Sequence, residues 1–473
     1  MKIKSRFVSL GLCALSAAIA CSFTPSAMAK VSDAQAAALG TTLTKFGADP
    51  KANADGSIPA YTGGLTKAPA GFKPHAQHYL DPYAGEKPAY VITHDNLDKY
   101  KALLSPGTLS LFGQFPDYAI QVYPSHRSMS YAPWFIDNTV KNATTAELAG
   151  KVEGDKVIGT APGGLPFQGV PFPIPDKGNG YQVMWNNMFR YAPAISLMNC
   201  NSYMVDSTGN VNALPSFLAY YMHPWSSPGD DFRKQVYDAV YGFNTLLTSP
   251  PTSAGVDFLN YYLPDAAATP PIWFYTPGQR RVRRAPDFSY DVPMAAYDGI
   301  LFWDEPWGFV GRMDRFDFKL EGKQELLIPY NNFKITNTES AKQTLGPKHV
   351  DPSAMRWEKH RVWKVVATLK ADARHAYSKR VFFVDEDSWA IILAETYDQS
   401  GKPWRETQNL VFPAYDVGGM NMDTFVTYNF HDGNYVVINT DRNQPGNYVK
   451  SYTSPKGLHL NLTPDEMGAA NVR

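Results

Sequence analysis

From about Ile195 onward, apolar and polar residues alternate in short runs separated by turn residues. A period of two sends successive side chains to opposite faces, which predicts half-buried strands. Strands are expected over 202–205, 216–223, 241–247, 256–263, 272–284, 316–320 and 325–329. More follow over 357–369, 380–384, 389–397, 404–412, 425–430 and 435–439. The turns between them are Asp206-Ser207-Thr208-Gly209-Asn210, Glu321-Gly322-Lys323, Asp385-Glu386-Asp387, Asp398-Gln399-Ser400-Gly401 and His431-Asp432-Gly433-Asn434. Consecutive hairpins without intervening helices mean an antiparallel meander, which must cover one apolar face or close on itself. No repeat with a period of 20–50 residues is visible, which argues against a propeller.

Before Ile195 the period is nearer 3.6. A short helix is expected over 32–47, capped by Ser32 and stopped by Gly47. A second starts at Thr93 or Asp95, runs through Leu104, and is ended by Pro106-Gly107. A third covers 181–191, with Val183, Met184, Met188 and Tyr191 on one stripe. The stretches 48–92 and 125–180 are rich in Pro, Gly and turns. The expected fold is α+β and mainly β: a strongly curved antiparallel sheet wrapped around a few helices. The expected divisions are a signal peptide (1–29), a helix and coil region packed on the core (30–180), the curved sheet with helices (181–445) and a C-terminal tail (446–473).

The first residues read as a secretory signal. Lys2, Lys4 and Arg6 precede an apolar run over 7–20, and Ala27-Met28-Ala29 forms a small-x-small cleavage site. The compartment expected is the periplasm. Ala18-Ile19-Ala20-Cys21 loosely resembles a lipoprotein box, so lipidation at Cys21, with outer-membrane association, is the rival expectation. Cleavage leaves 444 residues (473 less 29), 41 basic against 44 acidic residues, and a single cysteine, Cys200. No intramolecular disulfide is then available, and the core must supply the stability. Cys200 lies in an apolar stretch and reads as a buried, inert thiol. The formal net charge of +0 for the whole chain argues against a nucleic-acid partner. A monomer is expected.

Catalytic signatures are missing: there is no G-x-S-x-G, P-loop, H-E-x-x-H or C-x-x-C. His75 and His78 read as a surface pair without a third ligand. Asn53-Ala54-Asp55-Gly56 resembles a calcium loop, but Lys51 stands where the leading Asp belongs. Neither a metal nor a cofactor is expected, and Asp385, Glu386 and Asp387 read as a solvated turn. Two segments stand out. In Trp273-Phe274-Tyr275-Thr276-Pro277-Gly278-Gln279-Arg280-Arg281-Val282-Arg283-Arg284 an aromatic strand enters a turn and four Arg follow within five residues. Alternation puts Arg281 and Arg283 on one face and Arg280, Val282 and Arg284 on the other. The bland reading is a solvated edge that blocks strand addition. The functional one is an anionic head group held by Arg beside an apolar cavity. The second segment, Leu301-Phe302-Trp303-Asp304-Glu305-Pro306-Trp307-Gly308-Phe309-Val310, reads as core under a loop, or else as a pocket rim or a membrane-touching loop. The candidate ligand-binding residues are therefore Trp273, Tyr275, Arg280, Arg281, Arg283, Arg284, Trp303, Trp307 and Phe309.

Five stretches together resemble a secreted bacterial family called domain of unknown function thirteen-twenty-nine. They are the run from Asn53 to Gly64 (NADGSIPAYTGG), Ser125-His126-Arg127, Gly164-Leu165-Pro166-Phe167, the run from Pro277 to Pro286, and Pro329-Tyr330-Asn331. Leu165 and Gln168-Gly169-Val170 depart from the usual pattern. The resemblance spans nearly the whole mature chain and extends to the LolA/LolB-like lipoprotein-sorting proteins. It implies an unclosed barrel around helices with an apolar cavity, a non-enzymatic role in handling lipid or another hydrophobic molecule, and an RND-type exporter or outer-membrane protein as partner. The alternatives are an enzyme acting on a hydrophobic substrate, with His126 or His375 near a Ser or Asp, and a structural adaptor of an export complex.

Overall fold

The computed structural model describes residues 31–75, 78–150, 154–285, 290–297 and 299–471. The expected signal peptide over 1–29 and the rival lipidation site Cys21 lie outside the described residues. Among those described, no helix is long and apolar enough to cross a membrane.

Thirteen strands form the body of one sheet. The first six are β1 (Ile195–Val205), β2 (Phe217–Met222), β3 (Tyr241–Leu247), β4 (Asp257–Tyr262), β5 (Ile272–Thr276) and β6 (Arg281–Arg284). The next seven are β7 (Phe316–Pro329), β8 (Trp357–Leu369), β9 (Lys379–Asp385), β10 (Ile391–Tyr397), β11 (Pro403–Asn409), β12 (Phe425–Asn429) and β13 (Asn434–Thr440). The spatial order is 6-5-4-3-2-1-13-12-11-10-9-8-7, antiparallel at each step. Two meanders are thus spliced at the β1–β13 pair. The edges β6 and β7 do not pair among the described residues, so the expected curved antiparallel sheet is present and unclosed.

Helix α3 (Gly180–Met188) follows α1 (Pro106–Gln114) and α2 (Pro133–Thr145). All nine residues of α3 are buried, as a helix in the middle of a core requires. It packs on β7 and β8. Tyr181 Oη donates to the Phe316 carbonyl at 2.9 Å. A Cβ at Gly180 would stand 2.7 Å from the Phe318 carbonyl carbon, so only glycine permits this approach. On the other face of the first meander, Ile195, Met222, Leu259, Tyr261 and Tyr275 form a separate cluster with Phe232, Val236, Leu462 and Met467. The last two come from the 446–473 segment, which also contributes a strand, Tyr448–Tyr452, beside β1 and a helix, Pro464–Asn471.

Several local expectations are corrected. The helix expected over 32–47 is α-helical only at Asp33–Ala36 and then breaks into turns. The one expected from 93–95 to Leu104 is two 3₁₀ segments, His94–Lys99 and Lys101–Leu103. Pro106-Gly107 begins a helix instead of ending one: Ser105 caps α1 and Pro106 takes its first turn, where a missing N–H is harmless. Pro133 does the same for α2, inside a stretch expected to be coil. Glu321-Gly322-Lys323 is no turn. β7 runs straight through it with a bulge, Gly322 at φ +122°. Cys200 is buried, as expected, and burial pushes its thiol up to about 11.

Candidate functional site: an aromatic cavity beside a buried polar centre

The described part of the chain between the two sheet edges, residues 285, 290–297 and 299–315, turns back against one face of the first meander. Between them lies a cavity of about 180 Å³. Its sheet wall follows the two-residue period: Phe217 and Tyr221 on β2, Phe243, Thr245 and Leu247 on β3, Phe258 and Tyr262 on β4. Pro293, Met294, Tyr297, Trp303, Trp307 and Val310 of the linker close it. Trp307 lies 5.1 Å from the Tyr221 ring and 5.5 Å from that of Tyr241, at edge-to-face angles that suit aromatic quadrupoles. Burial pushes the phenols of Tyr221, Tyr262 and Tyr297 up, so they stay neutral. Among the described residues the lining contains no Asp, Glu, Lys, Arg or His.

Buried ion pairs fix the linker to the second meander. Arg380 of β9 donates to Asp304 Oδ2 at 2.7 Å and to the carbonyls of Asp304 and Gly308. Arg405 of β11 pairs with Glu305 at 2.6 Å. Burial alone would raise the Asp304 carboxyl, but Arg380 and His375 hold it below its ordinary range. Asn409 Nδ2 reaches the Trp307 carbonyl at 2.9 Å. These contacts hold Trp307 in the left-handed region at φ +54°, a conformation an isolated Trp disfavours.

Of the residues proposed from sequence, Trp303 and Trp307 line the cavity. Phe309 points elsewhere, packing at 5.8 Å on Phe318 and 5.7 Å on Phe382 beneath Arg380. Trp273 and Tyr275 belong to the opposite face, with Leu259 and Met467. Phe274 is the β5 residue paired with Phe258 on the cavity face. Arg283 pairs with Phe274 and Arg281 with Thr276, so these two lie on that same face at the exposed edge strand. Arg284 is paired with Trp273 on the other face, and Arg280 stands in the turn at φ +47°. Phe258 and Tyr262 share one face of β4, but nothing in their own stretch of sequence ties that face to Trp303. Tyr221 and Phe243, on strands distant in sequence, carried no local marker either.

The turn Asp385-Glu386-Asp387 is buried, which corrects the expectation of a solvated turn. Segments far apart in the chain supply its partners. Arg127 grips Asp387 bidentately, Nε to Oδ2 at 2.8 Å and Nη2 to Oδ1 at 2.6 Å. Tyr330 Oη and the Ser388 N–H and hydroxyl all donate to Asp385 Oδ2. Glu358 accepts from the His126 N–H, Asn331 Nδ2 and Arg356. Lys323 and Arg361 pair with Glu386. His126 Nε2 lies 2.7 Å from Glu86, and His375 Nε2 3.1 Å from Asp304. Both histidines thus meet carboxylates, and neither lines the aromatic cavity.

A family model described as "Protein of unknown function (DUF1329)" matches residues 91–467. An uncharacterized Pseudomonas aeruginosa protein, PA3922, is 35% identical over 457 residues, covering 94% of this chain and 95% of that one. A solved DUF1329 family protein from Desulfovibrio piger is 16% identical, with a TM-score of 0.37, covering 57% of this chain and 88% of that one. A LolA superfamily protein from Nitrosomonas europaea is 11% identical, with a TM-score of 0.30, covering 55% and 90% respectively.

Proposed function

This chain belongs to the DUF1329 family, and from that premise we propose that it is a periplasmic, non-enzymatic carrier for an amphiphile whose apolar end enters the aromatic cavity. The observation that carries the reading is a cavity walled by aromatic and aliphatic groups without a charged side chain among its described lining. A cavity of ~150 Å³ lined by aliphatic and aromatic side chains stays dry and takes up benzene. One of about 180 Å³ fits one ring or the end of one chain, not the two tails of a diacyl lipid. Burying six methylenes yields about 5 kcal/mol at ~0.8 kcal/mol each. Arg281 and Arg283, on the cavity face of the exposed edge strand, are suited to an anionic head group in water. The signal-like first residues support the periplasm, and handover to or from an RND-type exporter or an outer-membrane protein completes the proposal.

The test is displacement titration with dodecanoate and dodecanol, alongside native mass spectrometry. Leu247→Trp, which fills the cavity, should weaken both ligands at least tenfold. Arg281→Ser with Arg283→Ser should weaken only the acid, and less so at high salt. Equal affinities in wild type and Leu247→Trp would sink the proposal.

A further inference from the structure

We propose that His360, Asp385 and Asp387 form a binding site for one divalent transition-metal ion. The site is separate from the aromatic cavity. One donor atom from each residue lies within 4.8 Å of the other two, and all three residues are buried. Ligands roughly 2.0–2.4 Å from a shared ion stand up to about that far apart.

The orientation of His360 adds an independent argument. Its Nε2 lies 3.1 Å from Glu358 Oε2. An ionised carboxylate can only accept, so Nε2 carries a proton, and in the neutral ring the lone pair falls on Nδ1. Metal-bound histidines are oriented in this way, by a carboxylate behind the ring. Nδ1 in turn faces Asp385 Oδ1 at 3.9 Å, too far for a hydrogen bond. That Oδ1 is fully buried and takes no hydrogen bond, while its sister oxygen takes three. A buried lone pair and a buried anionic oxygen that face each other call for a cation between them. Asp387 is held in place by the Arg127 fork and keeps lone pairs outside it.

The surrounding charge agrees. Arg127, Lys323 and Arg361 pair with Glu386 and Asp387, and Arg356 pairs with Glu86 and Glu358, whereas Asp385 meets these groups through His360. One imidazole with two carboxylates suits Zn²⁺, Mn²⁺ or Fe²⁺ better than Ca²⁺ or Mg²⁺. Bound there, the ion would tie the turn after β9 to β8 and, through Arg127, to the segment that precedes α2.

The competing arrangement is a doubly protonated His360 between Glu358 and Asp385, and refolding decides between them. The whole chain is unfolded in guanidinium, refolded with ZnCl₂ or with EDTA, desalted, and analysed for metal content and thermal midpoint. The expected result is one Zn²⁺ per chain and a midpoint several degrees higher with zinc. Asp385→Asn and His360→Gln should each lose the ion, and His94→Gln, at the exposed start of the first 3₁₀ segment, should keep it. If the site variants fail to fold, X-ray absorption of wild type loaded with zinc gives the answer, with imidazole scattering expected beside two oxygens. No stoichiometric zinc, a shell without imidazole, or retention by folded Asp385→Asn would overturn the proposal.

Discussion

Glu406 on β11 stands directly across from Glu395 on β10, and both carboxyls are buried. The first turn of α1 meets them: the Gly107 N–H donates to Glu395 Oε1 at 2.6 Å, and Thr108 Oγ1 to Glu406 Oε1 at 2.8 Å. Two carboxylates cannot both ionise at this spacing in a dry site. Burial, and then Glu395 beside it, push Glu406 up to about 8, while Glu395 is raised by burial. A carboxyl raised in the folded state binds its proton more tightly there than in the unfolded chain. Its stabilising contribution is full below the unfolded value of ~4.3 and is lost as pH climbs through about 8. The slope is at most roughly 1.4 kcal/mol per pH unit. Glu406→Gln keeps an acceptor for Thr108 and removes the titration. Urea midpoints at pH 5 and pH 8 should fall with rising pH in wild type and change distinctly less in the variant. Equal slopes would show that Glu406 is already ionised at neutral pH.

The linker between β6 and β7 forms one wall of the cavity, and its position depends on two buried ion pairs. Removing one partner of such a pair leaves an uncompensated charge and costs ~3–5 kcal/mol, whereas replacing both with apolar groups costs far less. Asp304→Ala should therefore destabilise the fold by about that amount in denaturant titrations and weaken dodecanoate binding. The double change Asp304→Leu with Arg380→Met should recover much of the stability. Such pairs join residues far apart in the chain, which local pattern does not reveal. The hairpin at 206–210 and the one at 431–434 were legible because alternation and turn chemistry are local. Gly322 read as a turn because a bulge and a turn use the same residue. Pro106 read as a stop because a proline at a helix start differs from one at its end only by what surrounds it. The burial of Asp387 was not legible at all, since Arg127, which permits it, is 260 residues away. Trp303 and Trp307 were found by composition, while Tyr221 and Phe243 needed the strand order that brings β2 and β3 beneath the linker.

The two meanders are covered by different means. The second wraps α3 and carries the main core. The first is thin: one face borders the cavity, and the other is covered by Phe232 and Val236 together with the chain's last segment, whose Leu462 and Met467 pack on Leu259, Tyr261 and Tyr275. Tyr261 Oη donates to the Leu462 carbonyl at 2.7 Å, and Tyr220 Oη to that of Asn461 at 2.6 Å, so the cover is fastened by hydrogen bonds as well. An exposed apolar sheet face next to an open edge is a site for self-association. A chain ending at Ser454 keeps Tyr448–Tyr452, and with it the pairing to β1, but loses this cover. It should lower the thermal midpoint, bind anilinonaphthalene sulfonate, and form oligomers in sedimentation velocity that wild type does not. The second meander gives the internal control. Trp389, buried there and donating to the Phe46 carbonyl at 3.0 Å, should keep its hydrogen-exchange protection in the truncated chain. Loss of protection at Trp389 together with β2–β5 would mean that the β1–β13 splice makes both meanders one cooperative unit, so that the last segment stabilises the whole sheet and not only the half it touches.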